Sequence, residues 1–410
     1  MKLSEQHLST DHCGLLARLS QSDKLLIIQD LDGVCMGLVR DPVNRSIDPA
    51  YLRAASAFGD QFFVLTNGEH EGKRGVNRIV EAALGAPEQV AAQRMYLPGL
   101  AAGGVQWQDR DGVVSHPGVT DAEIEFLRQR PAAAAAFLTR TLQRAPFGFS
   151  SPEIEKLVET CVLDNLVSPT LNLNQCHQRL QNRPERFRAL QLAVHQFMRE
   201  QIHEAEKRDL GASFFVHLAP NLGQAAGGEE RLLLCDGASC GTHDFQLMLG
   251  GGVKQAGVAV LLNEYFYRRC GEYPLGEGFC ARHAPADLAD LLALIRSRFD
   301  AGQMPRIIGV GDTVTSAPDP LATDSSQRLR GGSDRGFLTL IQEIGRVFDT
   351  DNAVLLVDSS HGELKRPGLA DAQAISDAAD PLRLNFAFPG GHSQYVDFFV
   401  RLSPLVANRF

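Results

Sequence analysis

Short apolar runs along the chain predict the buried strands of a sheet. The runs consist of apolar residues or glycine, and they lie at residues 25–28, 62–65, 307–310 and 353–357. Apolar runs of this length without polar alternation are typical of parallel strands that are covered on both faces. Helical patterns, such as the one at residues 76–84, lie between the runs. The alternation of strands with helices therefore predicts an α/β fold with a Rossmann-like parallel sheet as its core.

The pattern changes between about residues 117 and 250. Predicted helices and strands mix there without regular alternation, the helices at residues 154–163 and 187–206 and the strands at residues 213–218, 231–235 and 245–249. Such a mixture predicts a separate α+β unit inserted into the core. With 410 residues, the chain is also longer than one usual hydrophobic core. We predict a core domain in two parts, residues 1–116 and 251–410, with a cap domain at residues 117–250.

Charge and composition exclude several classes of partner. The net charge is −9 and no run of lysine and arginine occurs, which argues against a nucleic-acid or anionic membrane partner. The eight cysteines form no Cys-x-x-Cys pair, and the first residues carry no apolar signal-peptide pattern. We therefore expect reduced thiols, no membrane association and a cytoplasmic protein.

The first apolar run leads into two aspartates, Asp30 and Asp32, followed by Gly33. Residues two apart in a strand share a face, so both carboxylates project from the strand's carboxyl end, where open α/β sheets bind ligands. Carboxylates this close repel each other unless a cation lies between them, and Mg2+ takes oxygen ligands. The pair indicates a site where one carboxylate attacks phosphorus and the other moves a proton. A plain turn after a strand explains these residues equally well.

The second apolar run ends in Thr66, Asn67 and Gly68. A hydroxyl followed by small residues with accessible N–H groups is suited to binding phosphate oxygens, although such a stretch is often only a turn. Glu69 follows, either as a substrate contact or as a solvated charge at a helix start. We predict that residues 66–69 contact the substrate.

Two charged residues near other predicted element ends complete the candidate site. Lys254 follows three glycines at a predicted helix start, where a partly buried ammonium can counter a phosphate or a carboxylate. Asp312 follows the third strand and can supply a second metal carboxylate. The alternative interpretation is that Lys254 is an ordinary solvated lysine at the protein surface.

These motifs, in this order, resemble the haloacid dehalogenase-like phosphatases whose cap is inserted late in the core. The resemblance implies that Asp30 is the nucleophile and that Asp32 is the acid/base. It also implies that Thr66 and Lys254 hold the phosphoryl oxygens. The cofactor it implies is Mg2+, held by Asp30, the Asp32 backbone carbonyl and Asp312.

One position departs from that superfamily's pattern. A second acid usually follows about four residues after the aspartate at position 312, but this chain has Ser316 there. Asp334, which comes after a polar insertion, either replaces the missing acid or only caps the helix predicted at residues 337–347.

Longer stretches resemble the glucosylglycerol-phosphate phosphatase family. They lie at residues 29–36, 64–70, 97–107, 213–217, 309–316 and 388–392. The resemblance implies Mg2+-dependent hydrolysis of 2-O-glucosylglycerol 3-phosphate, the last step of a compatible-solute synthesis in salt tolerance. It further implies a small-molecule sugar-phosphate substrate and a functional link to the glucosylglycerol-phosphate synthase.

The sequence leaves other functions open. They are hydrolysis of another sugar phosphate such as a disaccharide phosphate, phosphoryl transfer to a sugar acceptor, and non-catalytic sugar-phosphate binding, which Ser316 favours. The cap also contains polar residues at predicted strand ends. They either bind a sugar or form turns and hydrogen bonds within the protein. These residues are Asn172, Asn174, His217, Asn221, Asp244 and Gln246.

Overall fold

The computed structural model describes residues 2–237, 239–319, 322, 327–364 and 366–407. The strands, in chain order, are β1 (Leu25–Gln29), β2 (Phe62–Leu65), β3 (Gly99–Ala101), β4 (Gln106–Gln108), β5 (Val114–Ser115), β6 (Val162–Leu163), β7 (Thr170–Asn172), β8 (Phe214–Ala219), β9 (Asn221–Gln224), β10 (Glu230–Leu232), β11 (Asp244–Leu249), β12 (Arg306–Gly311), β13 (Thr315–Pro318), β14 (Arg328–Gly331), β15 (Ala353–Val357) and β16 (Phe386–Phe388).

The α-helices connect these strands and cover their faces. In chain order they are α1 (His12–Leu19), α2 (Pro49–Ala57), α3 (Val76–Leu84), α4 (Pro87–Ala92), α5 (Asp121–Arg128), α6 (Arg130–Gln143), α7 (Ser151–Cys161), α8 (Asn174–Leu180), α9 (Pro184–Glu206), α10 (Lys254–Cys270), α11 (Leu288–Arg298), α12 (Arg335–Phe348) and α13 (Gly391–Ala407). Within the described residues, no helix is both long and apolar enough to cross a lipid bilayer.

The core is an eight-stranded sheet in the order β16-β15-β12-β1-β2-β3-β4-β5. The strands from β16 to β3 pair in parallel, and β4 and β5 add antiparallel strands at one edge. The predicted α/β class with a Rossmann-like parallel sheet is confirmed. Because β1 lies between β2 and β12, the residues that follow these three strands meet at one edge of the sheet.

Two apolar clusters cover the two faces of this sheet. One contains side chains of α1, α2, α3 and α13, and the other contains side chains of α10, α11 and α12. Every residue of β1 is buried, with successive side chains entering opposite clusters, as Ile27 and Ile28 do. This burial on both faces explains why the strand is apolar without alternation. It also fixes the position of the end of β1, which Asp30 and Asp32 follow.

A second, antiparallel sheet has the order β6-β7-β11-β8. Along β11, Phe245 and Leu247 enter apolar clusters with the helices, whereas Asp244 and Gln246 lie on the opposite face. One face of this sheet is thus apolar and the other carries polar side chains. The boundaries of the cap domain, at residues 117 and 250, stay a prediction.

The strand predicted at residues 231–235 is shorter in the structure. β10 ends at Leu232, and the backbone beyond it bonds to the side chain of Gln191 on α9. The Gln191 amide donates to three carbonyls and accepts from one N–H, those of Leu233, Cys240, Thr242 and Cys235 respectively. The Gln191 side chain, together with the backbone N–H and hydroxyl of Thr242, therefore replaces the strand partner that the apolar run predicted.

The polar insertion between Asp312 and Asp334 contains a hairpin. Its strands β13 and β14 pair antiparallel, with Thr315 opposite Gly331, so the chain returns to the point where it left the sheet. Part of the connection lies outside the described residues. Ser316 is on this hairpin, where its hydroxyl bonds to Asp377 and Arg328. The hairpin thus lengthens the chain between the two aspartates without separating them in space.

Candidate active site

Lys254 joins two buried carboxylates at the carboxyl edge of the core sheet. Its Nζ lies 2.6 Å from Oδ2 of Asp30 and 2.7 Å from Oδ1 of Asp334. Lys254 is the first residue of α10, after a glycine turn in which Gly251 has a φ of +81° that side-chain-bearing residues rarely adopt. Burial raises the pKa of Asp30, and the Lys254 ammonium opposes that rise. The structure thus brings together three residues that are far apart in the sequence.

Asp334 also fixes the loop that follows β12. Its Oδ2 accepts hydrogen bonds from the backbone N–H groups of Asp312 and Thr313, both at 2.9 Å. Asp334 precedes α12 in the N-cap position, yet its side chain makes no capping bond within the described part of the chain. Gly311 leaves room for it, because a Cβ there would lie 2.6 Å from Oδ2 of Asp334. The side chain therefore faces the site and not its own helix.

Asp30, Asp312 and Asp334 form a compact acidic cluster. Each offers one carboxylate oxygen, and these three atoms lie within 4.8 Å of one another. Oxygen donors of this kind fit a hard divalent cation such as Mg2+. Burial raises the pKa of Asp312 to about 6, while the nearby Arg366 guanidinium lowers it. A bound cation would relieve the repulsion within the cluster.

Asp32 lies beside this cluster with its carboxylate directed to an arginine. Its Oδ2 accepts a hydrogen bond from Nη1 of Arg45 at 2.7 Å, and a third of its side chain is exposed. Arg45 is held in turn by the backbone carbonyls of Pro42 and Arg74. The two carboxylates after β1 therefore occupy different surroundings, Asp30 buried at a lysine and Asp32 at the cavity beside an arginine.

Thr66, Asn67 and Gly68 line the same cavity as Asp30 and Asp32. The Thr66 hydroxyl accepts a hydrogen bond from the Gly68 N–H at 3.3 Å, which closes a tight turn at the end of β2. Asn67 donates through Nδ2 to Nε2 of a cap histidine, His217, at 2.9 Å. The predicted phosphate-binding residues are therefore next to the aspartates, and their role in binding stays a prediction.

Glu69 connects the core to a cap loop. Its carboxylate accepts four hydrogen bonds of 2.8 to 3.0 Å, from the backbone N–H groups of residues 166–168 and from the Ser168 hydroxyl. Glu69 also lines the cavity, so the predicted substrate contact stays a prediction. The side chain already has a structural task, because these four bonds attach the end of β2 to the loop before β7.

The cavity lies between the two sheets and has a volume of about 120 Å³. Its core side carries the aspartates and residues 66–69, and its cap side carries polar side chains, those of Asn165, Asn172, Asp244 and Gln246. A larger groove of about 640 Å³ lies between α9 and β8, and its lining includes none of the clustered carboxylates. The chemistry therefore belongs to the cavity between the sheets.

Arg366 links the acidic cluster to the cap. Its Nη1 donates to Oδ2 of Asp312 at 3.2 Å and to the Thr313 hydroxyl, and its Nη2 donates to Nε2 of His243. Burial lowers the pKa of His243 to about 3, so this histidine is neutral and accepts that bond. Neither Arg366 nor Arg45 was predicted, because each is a single arginine in a loop without a motif.

Asp244 is a cap carboxylate that faces the cavity. Its Oδ1 accepts a hydrogen bond from Nδ2 of Asn172 at 2.7 Å. Burial raises the pKa of Asp244 to about 6, and the positive charge of Arg366 opposes the rise. Because the folded-state pKa lies above the unfolded value, the folded state loses stability as the pH rises from about 4 to about 6. At neutral pH this carboxylate therefore costs stability.

We expect Asp244→Asn to raise the free energy of unfolding at pH 7.5 by about 1–3 kcal/mol, with a much smaller gain near pH 4. The amide has the same shape and carries no charge that burial would penalise. Urea unfolding at the two pH values measures the difference, with the exposed Asp23→Asn as control. Equal or lower stability of Asp244→Asn at pH 7.5 would contradict the expectation.

Comparison with known proteins identifies the family of the chain. The model of the family described as glucosylglycerol-phosphate phosphatase matches residues 24–403. The glucosylglycerol-phosphate phosphatase of Synechocystis sp. (strain ATCC 27184 / PCC 6803 / Kazusa) is 47% identical over 412 aligned residues, covering 97% of each chain.

The solved structures that match are much more distant in sequence. The C-terminal domain of Candida albicans trehalose-6-phosphate phosphatase has a TM-score of 0.49 and 12% identity, covering 98% of this chain and 99% of that one. Aspergillus fumigatus trehalose-6-phosphate phosphatase has a TM-score of 0.39 and 10% identity, covering 97% and 99%. The family model and the Synechocystis relative each span nearly the whole chain, which therefore belongs to the glucosylglycerol-phosphate phosphatase family.

Proposed function

We propose that this chain is a Mg2+-dependent phosphatase that hydrolyses 2-O-glucosylglycerol 3-phosphate to glucosylglycerol and phosphate. The observation that carries the proposal is the position of Asp30, which contacts Lys254 and opens onto a cavity shared by both sheets. The substrate is inferred from the family, because the relative from Synechocystis bears that name. The geometry supports the class of chemistry, and the family supports the identity of the ester.

In the proposed reaction, the Asp30 carboxylate attacks phosphorus and forms an aspartyl-phosphate, and the bond to the glycerol oxygen breaks. Asp32 gives a proton to the departing oxygen, and the carboxylate that results takes a proton from the attacking water. The water oxygen bonds to phosphorus, the bond between phosphorus and the Asp30 oxygen breaks, and inorganic phosphate leaves. The different surroundings of the two carboxylates support these different roles. Arg45 keeps the Asp32 carboxylate directed to the cavity.

The charge that develops on the phosphoryl oxygens needs donors that are already in place. The Lys254 ammonium, the Thr66 hydroxyl and the backbone N–H groups after β2 are the donors that this chain offers beside Asp30. Asp334 acts as a positioning residue, because it orients both Lys254 and the loop of Asp312. Such a role for Asp334 would account for the absence of an acid at position 316.

The carboxylates of Asp30 and Asp312, together with the Asp32 backbone carbonyl, would hold Mg2+. When bound, the ion would neutralise part of the negative charge that gathers on the phosphoryl oxygens. Both oxygens of Asp334 already accept hydrogen bonds from the protein. We therefore do not include Asp334 among the Mg2+ ligands and assign it the role of positioning Lys254 and the loop of Asp312.

Phosphate release from three esters tests the proposal: 2-O-glucosylglycerol 3-phosphate, trehalose 6-phosphate and glycerol 3-phosphate, each with Mg2+ and with EDTA. We expect the first ester to be hydrolysed with the highest kcat/KM, and EDTA to abolish release because the clustered carboxylates would then repel the phosphate. Restored activity on adding back Mg2+ controls for damage by the chelator. Preference for trehalose 6-phosphate would overturn the substrate, and no release from any ester would favour a non-catalytic binder.

The family resemblance also leads us to propose a cytoplasmic location and a functional link to the glucosylglycerol-phosphate synthase. A synthase that makes this ester would supply the substrate, and hydrolysis would remove the charged group from the product.

A further inference from the structure

The cap sheet presents a row of polar side chains to the cavity. In the register of this sheet, Asp244 of β11 lies opposite Asn172 of β7, and Gln246 lies between Thr170 of β7 and His217 of β8. Directly opposed residues, and residues two apart along a strand, share one face of a sheet. Asn172, Asp244 and Gln246 all line the cavity that also contains the catalytic aspartates.

Other polar side chains of the cap are already used by the fold. His217 accepts from Asn67 and donates through Nδ1 to Oε1 of Glu230 at 2.9 Å. Asn221 donates to Glu230 and accepts from the backbone N–H groups of residues 223 and 332. These two residues hold the cap together and attach it to the core. Among the polar residues of the cap sheet, those of β7 and β11 remain for a ligand.

Gln246 and Asp244 both have acceptor atoms without a close donor among the described residues. Gln246 is 7% exposed, and its buried Oε1 has no hydrogen-bond partner. One oxygen of Asp244 accepts from Asn172, whereas Oδ2 is 3.8 Å from the neutral His243, too far for a hydrogen bond. A buried acceptor left without a donor costs free energy, so its presence at a cavity points to a ligand that donates.

We propose that Gln246 and Asp244, with Asn172 orienting Asp244, form the subsite that binds the hydroxyl groups of the substrate's glucosyl part. This inference rests on the proposed function and extends it to the residues that select the sugar. Hydroxyl groups suit this subsite because they are neutral and can donate hydrogen bonds to both acceptors. An anionic group is disfavoured there because the carboxylate of Asp244 would repel it.

The placement of charge across the cavity orients the substrate. Lys254 and the N–H groups after β2 attract the phosphate to the core side, whereas Gln246 and Asp244 on the cap side offer acceptor oxygens to the polyol end. Selection of the sugar therefore depends on residues that touch neither phosphorus nor the acidic cluster. Removing them should change the recognition of the glucosyl group and leave the chemistry of phosphate release intact.

The test compares two esters in two cap variants. Gln246→Leu is expected to lower kcat/KM for 2-O-glucosylglycerol 3-phosphate about ten-fold, and Asp244→Asn about ten- to hundred-fold. Neither is expected to change kcat/KM more than about two-fold for p-nitrophenyl phosphate, which lacks a sugar. The inhibition constant of free glucosylglycerol, measured against p-nitrophenyl phosphate, should rise by the same factors. Gln196→Leu, on the exposed side of α9, is the matched control.

Each outcome decides the inference. Selective loss on the sugar ester together with weaker inhibition by glucosylglycerol supports the subsite. Equal loss on both esters, or no loss on either, overturns it, and thermal unfolding of each variant identifies a loss that comes from misfolding. Failure of the proposed function is separate, because the unmodified protein would then release phosphate from p-nitrophenyl phosphate but not from the glucosylated ester.

Discussion

Asp30→Asn is expected to lose between about 10³- and 10⁶-fold of the rate of phosphate release while the chain stays folded. An amide of the same shape cannot act as the nucleophile, so no aspartyl-phosphate forms. Folding should survive, because burial already disfavours the charged form of this carboxyl group. The measurement is initial phosphate release at saturating substrate, together with acid-quenched trapping of the phosphorylated protein.

The controls for Asp30→Asn separate chemistry from structure. The unmodified protein should yield a trapped phosphoprotein and Asp30→Asn should yield none, while the surface variant Asp23→Asn should behave as the unmodified protein does. Thermal unfolding within a few degrees of the unmodified protein would show that the fold is intact. A turnover near normal in Asp30→Asn would refute its role as nucleophile.

Lys254→Met is expected to destabilise the fold by about 3–5 kcal/mol and to abolish activity. Without the ammonium, Asp30 and Asp334 face each other in a buried site with no positive charge between them. The substrate phosphate also loses the ammonium group that contacts Asp30. Chemical denaturation at pH 7.5 measures the first effect, and phosphate release measures the second.

A second variant distinguishes charge from packing. Lys254→Met combined with Asp334→Asn removes one of the two unpaired carboxylates, so it should recover part of the lost stability but no activity. Lys207→Met, which breaks an exposed pair with Glu204, is the control and should cost less than about 1 kcal/mol. If Lys254→Met alone unfolds like the unmodified protein, the buried pair does not stabilise the site as described.

The core was predictable because its signals are local. The run at residues 62–65 coincides with β2 and the run at residues 353–357 with β15, and the helix predicted at residues 76–84 coincides with α3. The start of α10 at Lys254 also follows from three preceding glycines. In each case the local sequence signal and the packing in the folded protein favour the same element.

What the sequence could not decide depended on contacts between distant segments. Asp334 satisfied two interpretations equally, and only the hairpin of β13 and β14 determines that its side chain meets Lys254. Arg45 and Arg366 reach the aspartates from irregular loops, where no period predicts a direction. The strand prediction was wrong at residues 233–235 because Gln191 and Thr242 bond to that backbone, and no sequence pattern shows such partners.

The pairing of β1 has a consequence for the way the protein is made. One neighbour, β2, follows soon after β1, but the other, β12, places Arg306 opposite Leu25, and the whole second sheet is translated in between. Such long-range pairing slows folding, and the edge of β1 is prone to aggregation as long as it has no partner strand. The second sheet uses only strands from β6 to β11, so it can assemble earlier. A nascent chain therefore keeps its central strand half-paired until the segment that also carries Asp312 has emerged.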